Sequence, residues 1–441
     1  KKRFSKKYFR FNKVILFKEK TFLPLSIFIF LPIFYVFGIA IVEISFFLIL
    51  FLFLIRQKNL LFFRDYKFLF LFFFSIYVAA DFLIKYDTYF ELSSLLYMRY
   101  ALLAIAVNYY LSNIKEDKDY VFTKILFLFF SIIIFDSLYQ FFSGKNLFGY
   151  ELIGSRVSSF FKEELILGSF LIKLLPILIW YIFFFDISLQ KKKLLFYIFF
   201  SAYFFTIFTS GERTSFTLMF LFILLMIFFL KNFRKIVIVS SIFTILAITI
   251  VTYKNSGSST TFYRMFIKPF HQITNYIYTN SKIKVTSSEE RKLEKNIVIF
   301  SNDHHGHYKL ALHLFFKEPI FGLGPRGFRY YCRSVNYSAE TGICSTHPHN
   351  TFIQILSELG LIGTLFYLFG MFFIINKFIV CLKSSASQRN KDLLIISSIA
   401  VILNFFPFLP SGNFFNNWIS IINFYTIGFY IFSYNNFFKN D

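Results

Sequence analysis

Two imidazoles, His347 and His349, flank Pro348 in the stretch STHPHNTFIQILSELG, and an apolar run with Glu358 inside it follows at once. An imidazole titrates near neutrality, so either histidine could take a proton from an attacking hydroxyl. Three further stretches carry arginine: GSRVSSFFKEELILG with Arg156, TSGERTSF with Arg213, and FGLGPRGFR with Arg326 and Arg329. The guanidinium fork pairs bidentately with phosphate oxygens, so arginines converging on one cavity suit a phosphate or diphosphate. Together the residue types fit a group transfer in which a diphosphate leaves and a hydroxyl attacks. Each also has a plainer reading. A lone arginine in a short loop usually meets lipid headgroups, although Arg213 interrupts an otherwise continuous apolar hairpin. Asn350 is a good helix N-cap and Pro348 holds His347 extended, so HPHN also reads as a helix start.

The elements that must position these residues are apolar. The chain has 441 residues, of which 56% are hydrophobic and 73 are Phe. Only 16% are charged, against about 25% in soluble domains. A bilayer core needs about 20 mostly apolar residues per helix, and such runs recur. The expected fold is an all-α polytopic membrane protein of about twelve spans. They fall near 22–37, 40–55, 67–84, 92–111, 120–142, 164–184, 194–210, 214–230, 235–252, 350–375, 392–409 and 417–434. Lys1 to Lys20 is basic, but no small-residue cleavage site follows, so the first run reads as a retained span. The net charge of +23 points to anionic membrane lipids rather than nucleic acid.

Lysine and arginine collect on one side. With the N-terminus inside, inner segments hold 27 and short outer segments five, so the positive-inside rule makes both termini cytoplasmic. HPHN and the arginine stretches then face outward. The expected organisation is an N-terminal bundle over 1–251, a large, mainly helical periplasmic loop over 252–349, and C-terminal spans over 350–441. All seven histidines, His271 to His349, lie in that loop. So do Cys332 and Cys344, in an oxidising compartment where a disulfide and two free thiols both fit the spacing. Glu43, Asp81, Arg99, Asp136 and Lys173 fall toward the outer ends of spans. Ionisable groups there face a wet cavity or pair with one another, for instance Arg99 with Asp136. His304, His305 and His307, with His313 beyond, invite a metal. Only Asp303 stands with them and no familiar ligand spacing is completed, so no metal is expected. GLGPRG follows no βαβ strand and is not a nucleotide loop.

Six motifs in order carry a resemblance: FDSLYQFFSGKNLFGY, RVSSFFKEELILGSFL, SGERTSF, KEPIFGLGPRGF, HPHNTFIQILSELGLIG and PSGNFFNNW. With the span pattern they resemble the O-antigen ligase and O-antigen polymerase superfamily of bacterial envelope glycosyltransferases. The resemblance implies glycan transfer from an undecaprenyl-diphosphate carrier to an acceptor hydroxyl at the periplasmic face of the inner membrane, inverting and without cofactor or metal. It makes His349 the general base. Arg213 and Arg156 would hold the diphosphate, with Arg326 as a third. His347, Asn350, Glu358, His304, His305, Arg99 and Asp136 are supporting candidates. Relatives often carry an arginine where this chain has His304 and His305. The acceptor is either a lipid-linked repeat unit, for a polymerase, or lipid A-core, for a ligase, and RVSSFFKEELILGSFL with SGERTSF leans toward the polymerase. A lipid-linked oligosaccharide flippase is the competing class. It should bind at the bilayer midplane between related halves, and no repeat relates 1–220 to 221–441.

Overall fold

The computed structural model describes residues 22–56, 65–85, 92–114, 116–185, 187, 193–254, 260–267, 302–334 and 344–439. The basic stretch Lys1–Lys20, His271 and residues 268–301 of the long polar segment lie outside them. Each of the twelve apolar stretches is helical. In order come α1 (Phe22–Phe34), α2 (Ile39–Arg56), α3 (Tyr66–Ile84), α4 (Leu92–Leu95), α5 (Met98–Ser112), α6 (Glu116–Ser143), α7 (Leu167–Phe184), α8 (Lys193–Thr209), α9 (Arg213–Phe229) and α10 (Lys231–Lys254). After the polar segment come α11 (Asn302–Lys317), α12 (Phe328–Ser334), α13 (Thr351–Lys383), α14 (Gln388–Asn404) and α15 (Asn417–Lys439). Among the described residues, six helices are long and apolar enough to cross a bilayer, and three shorter ones are apolar. The chain is a polytopic membrane protein.

Burial sorts the helices. α7 is the hub, with all of its residues buried except Ser169 and Lys173. It packs on α8, α9, α14 and α15, and Trp180 donates to Ser433 Oγ at 2.8 Å. A helix apolar all round belongs inside a bundle. α10, at the rim, instead exposes Ile242, Phe243, Ile245, Leu246 and Ile250, which suits a lipid-facing surface.

Two stretches expected as single spans are broken. The run at 92–111 turns at Leu96 and Tyr97, leaving α4 and α5. α13 departs from helical geometry at Gly360, where φ is +60° and ψ −159°. The break is backbone packing between two motifs. Leu323 N and Gly324 N donate to the carbonyls of Ser357 and Glu358 at 3.0 and 2.9 Å, and Leu361 N donates to Pro319 O at 2.9 Å. A Cβ on Gly322 would lie 2.5 Å from Gly360 N, and one on Gly360 would collide with Ile320 O. The glycines of FGLGP are thus a clamp on α13, and the short segment 351–359 they isolate carries the HPHN stretch at its start.

α11 and α12 build a satellite core of Leu310, Ala311, Leu314, Leu323, Phe328 and Cys332. A Cys332–Cys344 disulfide, with Cα atoms 5.6 Å apart, ties α12 to the segment that leads into HPHN. The Arg99–Asp136 pairing does not form. Asp136 accepts from Ser159 Oγ at 2.5 Å and Leu147 N at 2.9 Å, because the 144–161 loop folds back over the last turns of α6. The carboxylate beside Arg99 is Glu43, at 3.9 Å.

Candidate active site

α14 begins beside the end of α7, where Arg389 donates to Phe184 O. Its last turn and the 405–417 loop therefore lie at the opposite end, with the start of α7. Two clusters of charged or titratable side chains occupy that end.

The first surrounds the turn between α8 and α9. Gly211, with φ +66°, makes the turn, and a Cβ there would stand 2.7 Å from Arg156 Cγ. Glu212 is in the N-cap position of α9 but leaves that helix uncapped. Its carboxylate instead takes the free N–H groups at the start of α7, Gly168 N at 2.6 Å and Ser169 N at 3.0 Å. It also accepts from the hydroxyls of Ser169 and Ser215. Burial pushes the Glu212 carboxyl up, while Ser169 and Arg156 hold it back.

Arg156 comes to this turn because its loop is stitched there. Val157 N donates to Thr209 O at 3.1 Å, and Arg156 Nε to Ser210 O at 2.9 Å. Arg213 opens α9 at the same turn. A third arginine, Arg264, bears on both through its charge. It sits in a π-helical turn, Tyr263–Ile267, fixed on both flanks. Thr261 donates to Ser155 O at 3.2 Å, and the Phe266 ring meets Phe216 edge-on at 5.3 Å. Burial lowers the Arg156 pKa first, then Arg264, with Glu212 opposing. Arg156 thus bears on a carboxylate that already holds two serines and two amides, and Arg264 bears on Arg156 and Arg213.

The second cluster is a niche of four imidazoles. The His349 ring centroid lies 4.0 Å from His347, 5.1 Å from His307 and 5.3 Å from His304. His349 has φ +59°, a region costing a non-glycine residue about 1–3 kcal/mol and common at functional sites. Its backbone is held by Ser411 N, which donates to His349 O at 2.9 Å. Asn350 caps the helix through Ile353 N at 2.9 Å and reaches Pro407 O at 2.8 Å. His349 Nε2 stands 3.0 Å from Ser345 Oγ. Burial, then His307 and His304, bring the His349 pKa down to about 4. Burial, then His349, bring His347 to about 3. Both rings are therefore neutral at pH 7, the form able to accept a proton. Among the described residues no group of three or more His, Cys, Asp or Glu side chains could hold a metal ion.

The remaining expected residues lie nearby in other roles. Glu358 accepts from Phe328 N at 3.0 Å and Gln354 Nε2 at 2.8 Å. Gln354 in turn grips Asn413 Oδ1 at 2.8 Å and Phe414 N at 2.8 Å, locking the 405–417 loop to the short helix behind His349. Arg326 is turned to Phe415 O and Asn417. Sequence reasoning missed Arg264, Glu212 and Ser345, and weighed His307 only as a metal ligand. Of these only Glu212 had a visible signal, an acid beside Arg213 in a two-helix turn.

Fixed cations and neutral imidazoles thus stand together at one end of an all-helical membrane bundle. Residues 195–368 match the family model described as O-antigen ligase (Wzy_C). The match contains Arg213, Arg264, His304, His307 and His349. The chain therefore carries an O-antigen ligase domain and is a glycosyltransferase-type enzyme of the bacterial envelope, multi-pass in the membrane. No curated protein and no solved structure matches it.

Proposed function

We propose that the chain transfers a glycan from an undecaprenyl-diphosphate carrier to an acceptor sugar hydroxyl at the periplasmic face of the inner membrane, in surface polysaccharide assembly. The observation that carries this reading is the pairing, at one end of the bundle, of a three-arginine cluster with a neutral, half-buried histidine. Arg156, Arg213 and Arg264 hold the donor diphosphate and stabilise the negative charge that grows as it departs. In the tautomer whose Nε2–H faces Ser345 Oγ, His349 keeps its Nδ1 lone pair for the acceptor hydroxyl proton. The hydroxyl oxygen bonds to the anomeric carbon from the face opposite the diphosphate, the bond from that carbon to the diphosphate oxygen breaks, and the configuration inverts. The arginines supply fixed positive charge, so the reading needs no metal. The periplasmic assignment rests on the 27-to-five excess of basic residues on the opposite side. Chain extension is the preferred reaction; transfer to lipid A-core is the alternative. A flippase would place its binding groups at the midplane, whereas both clusters lie at one end.

The test is glycan transfer by the purified protein from a defined lipid-linked repeat, with and without chelator. Transfer that survives chelation and is lost in Arg213→Gln and His349→Ala supports the reading. Full transfer by both variants, once correctly inserted, ends it. In cells, deletion that leaves core bearing a single repeat unit indicates a polymerase, whereas bare core with accumulated lipid-linked polymer indicates a ligase.

A further inference from the structure

A second arginine pair stands apart from the Arg156–Arg213–Arg264 cluster. Arg99, in the first turn of α5, and Arg326, at the tip of the GLGPRG loop, both donate to Asn417 Oδ1, at 3.1 and 3.4 Å. The Tyr100 hydroxyl donates to the same oxygen at 3.0 Å. A carboxamide oxygen has two lone pairs, so three donors oversubscribe it. Glu43 stands 3.9 Å from Arg99, beyond hydrogen-bond distance. Arg99 Nε–H and the indole N–H of Trp418 are both buried without a hydrogen-bond partner. Leaving a buried donor unsatisfied costs about 1–3 kcal/mol, a cost that an oxygen-rich anion would relieve. α5 and α15 both begin here, and helix starts favour negative charge. The Arg99 side chain keeps 12% of its surface exposed, so the place is reachable.

This place adjoins both clusters of the active site. Trp418 packs edge-on against Phe161 at 6.2 Å, on the loop that carries Arg156. Phe415, whose carbonyl Arg326 holds, donates its N–H to Asn413, the partner of Gln354 in the helix behind His349.

Resting on the proposed transfer, we propose that Arg99 and Arg326, with Asn417 between them and Trp418 beside, hold the diphosphate of a second, acceptor lipid-linked glycan. Chain extension consumes two lipid diphosphates. One departs with the donor's carrier while the other remains on the acceptor, so a single arginine cluster cannot serve both. Transfer to lipid A-core needs one such carrier. The phosphates of a phosphorylated core lipid offer the same chemistry, and the experiment separates the two.

The experiment is equilibrium binding of a labelled short-chain polyprenyl diphosphate to the full chain in nanodiscs. Two equivalents are expected for the native protein, and one each for Arg213→Gln and for Arg99→Gln with Arg326→Gln. Arg99→Lys retains charge without the fork and guards against misfolding. It should weaken one equivalent roughly tenfold and leave the other unchanged. A single native equivalent, lost in Arg213→Gln, overturns the second site and leaves the donor site standing. Two equivalents retained in Arg213→Gln but one in the Arg99–Arg326 variant overturn the donor assignment instead. Displacement of the second equivalent by phosphatidylglycerol in the disc would make the pair a headgroup site and overturn the proposal. With substrates, Arg99→Lys should raise KM for a lipid-linked repeat as acceptor; a rise confined to a phosphorylated core lipid overturns it.

Discussion

The arginine cluster and the histidine niche lie at the same end of one bundle and treat charge in opposite ways. Arg156, Arg213 and Arg264 concentrate positive charge at the turn before α9, where the oxygens of Glu212 are taken up by α7 and two serines. His304, His307, His347 and His349 crowd together, and burial keeps His347 and His349 unprotonated. Their supports differ too. The arginines are fixed by the turn between two helices of the main bundle. The histidines hang between a disulfide-tied satellite core and a helix broken at Gly360. A binding site for a diphosphate needs charge that never titrates, and a proton acceptor needs the reverse.

Variants can break this contrast, and the largest effect should come from the base. His349→Ala should lower the transfer rate by about 10²- to 10⁴-fold, the usual contribution of a positioned general base. Initial rates at saturating donor measure it. Arg213→Gln should cost about 10²- to 10³-fold, like removal of one preorganised transition-state donor, and raise donor KM as well.

Support for the niche comes next. Gly360→Ala forces a side chain onto Ile320 O at positive φ and should cost about 1–3 kcal/mol, read as lowered thermal stability with lowered transfer.

The pH response should be smaller. His347 and His349 have folded pKa values near 3 and 4, below the unfolded value of about 6.5. The unfolded chain therefore binds protons first, and stability should fall as pH drops from about 6.5 toward 4. Above that window these rings contribute no slope. Unfolding midpoints across pH 4 to 8 measure it, and a midpoint that is flat below pH 6 would contradict neutral imidazoles. His307→Asn removes one neighbour while burial persists, so the His349 pKa should rise only slightly, visible by NMR titration of the ring.

The bundle was legible because a bilayer leaves its mark as run length, and every expected apolar stretch is helical. The break at Gly360 was not, since its cause is a second glycine 38 positions earlier, Gly322, and pairing between them is a tertiary event. His349, Arg213 and Arg156 were singled out because their motifs combine turn formers with charge inside apolar sequence. Arg264 sits in YRMFIK, where nothing local distinguishes it, and only packing against Ser155 and Phe216 brings it to the turn. Arg326 showed its chemistry but not its address. The backbone at φ +63° aims it at Phe415 and Asn417.

The division of labour is tested most directly by measuring polyprenyl-diphosphate affinity at the donor site and glycan transfer in the same preparations of His349→Ala and Arg213→Gln. The account predicts that His349→Ala binds donor like the native protein while its transfer slows by about 10²- to 10⁴-fold, whereas Arg213→Gln loses donor affinity. Native donor affinity in Arg213→Gln, or its loss in a folded His349→Ala, would contradict it.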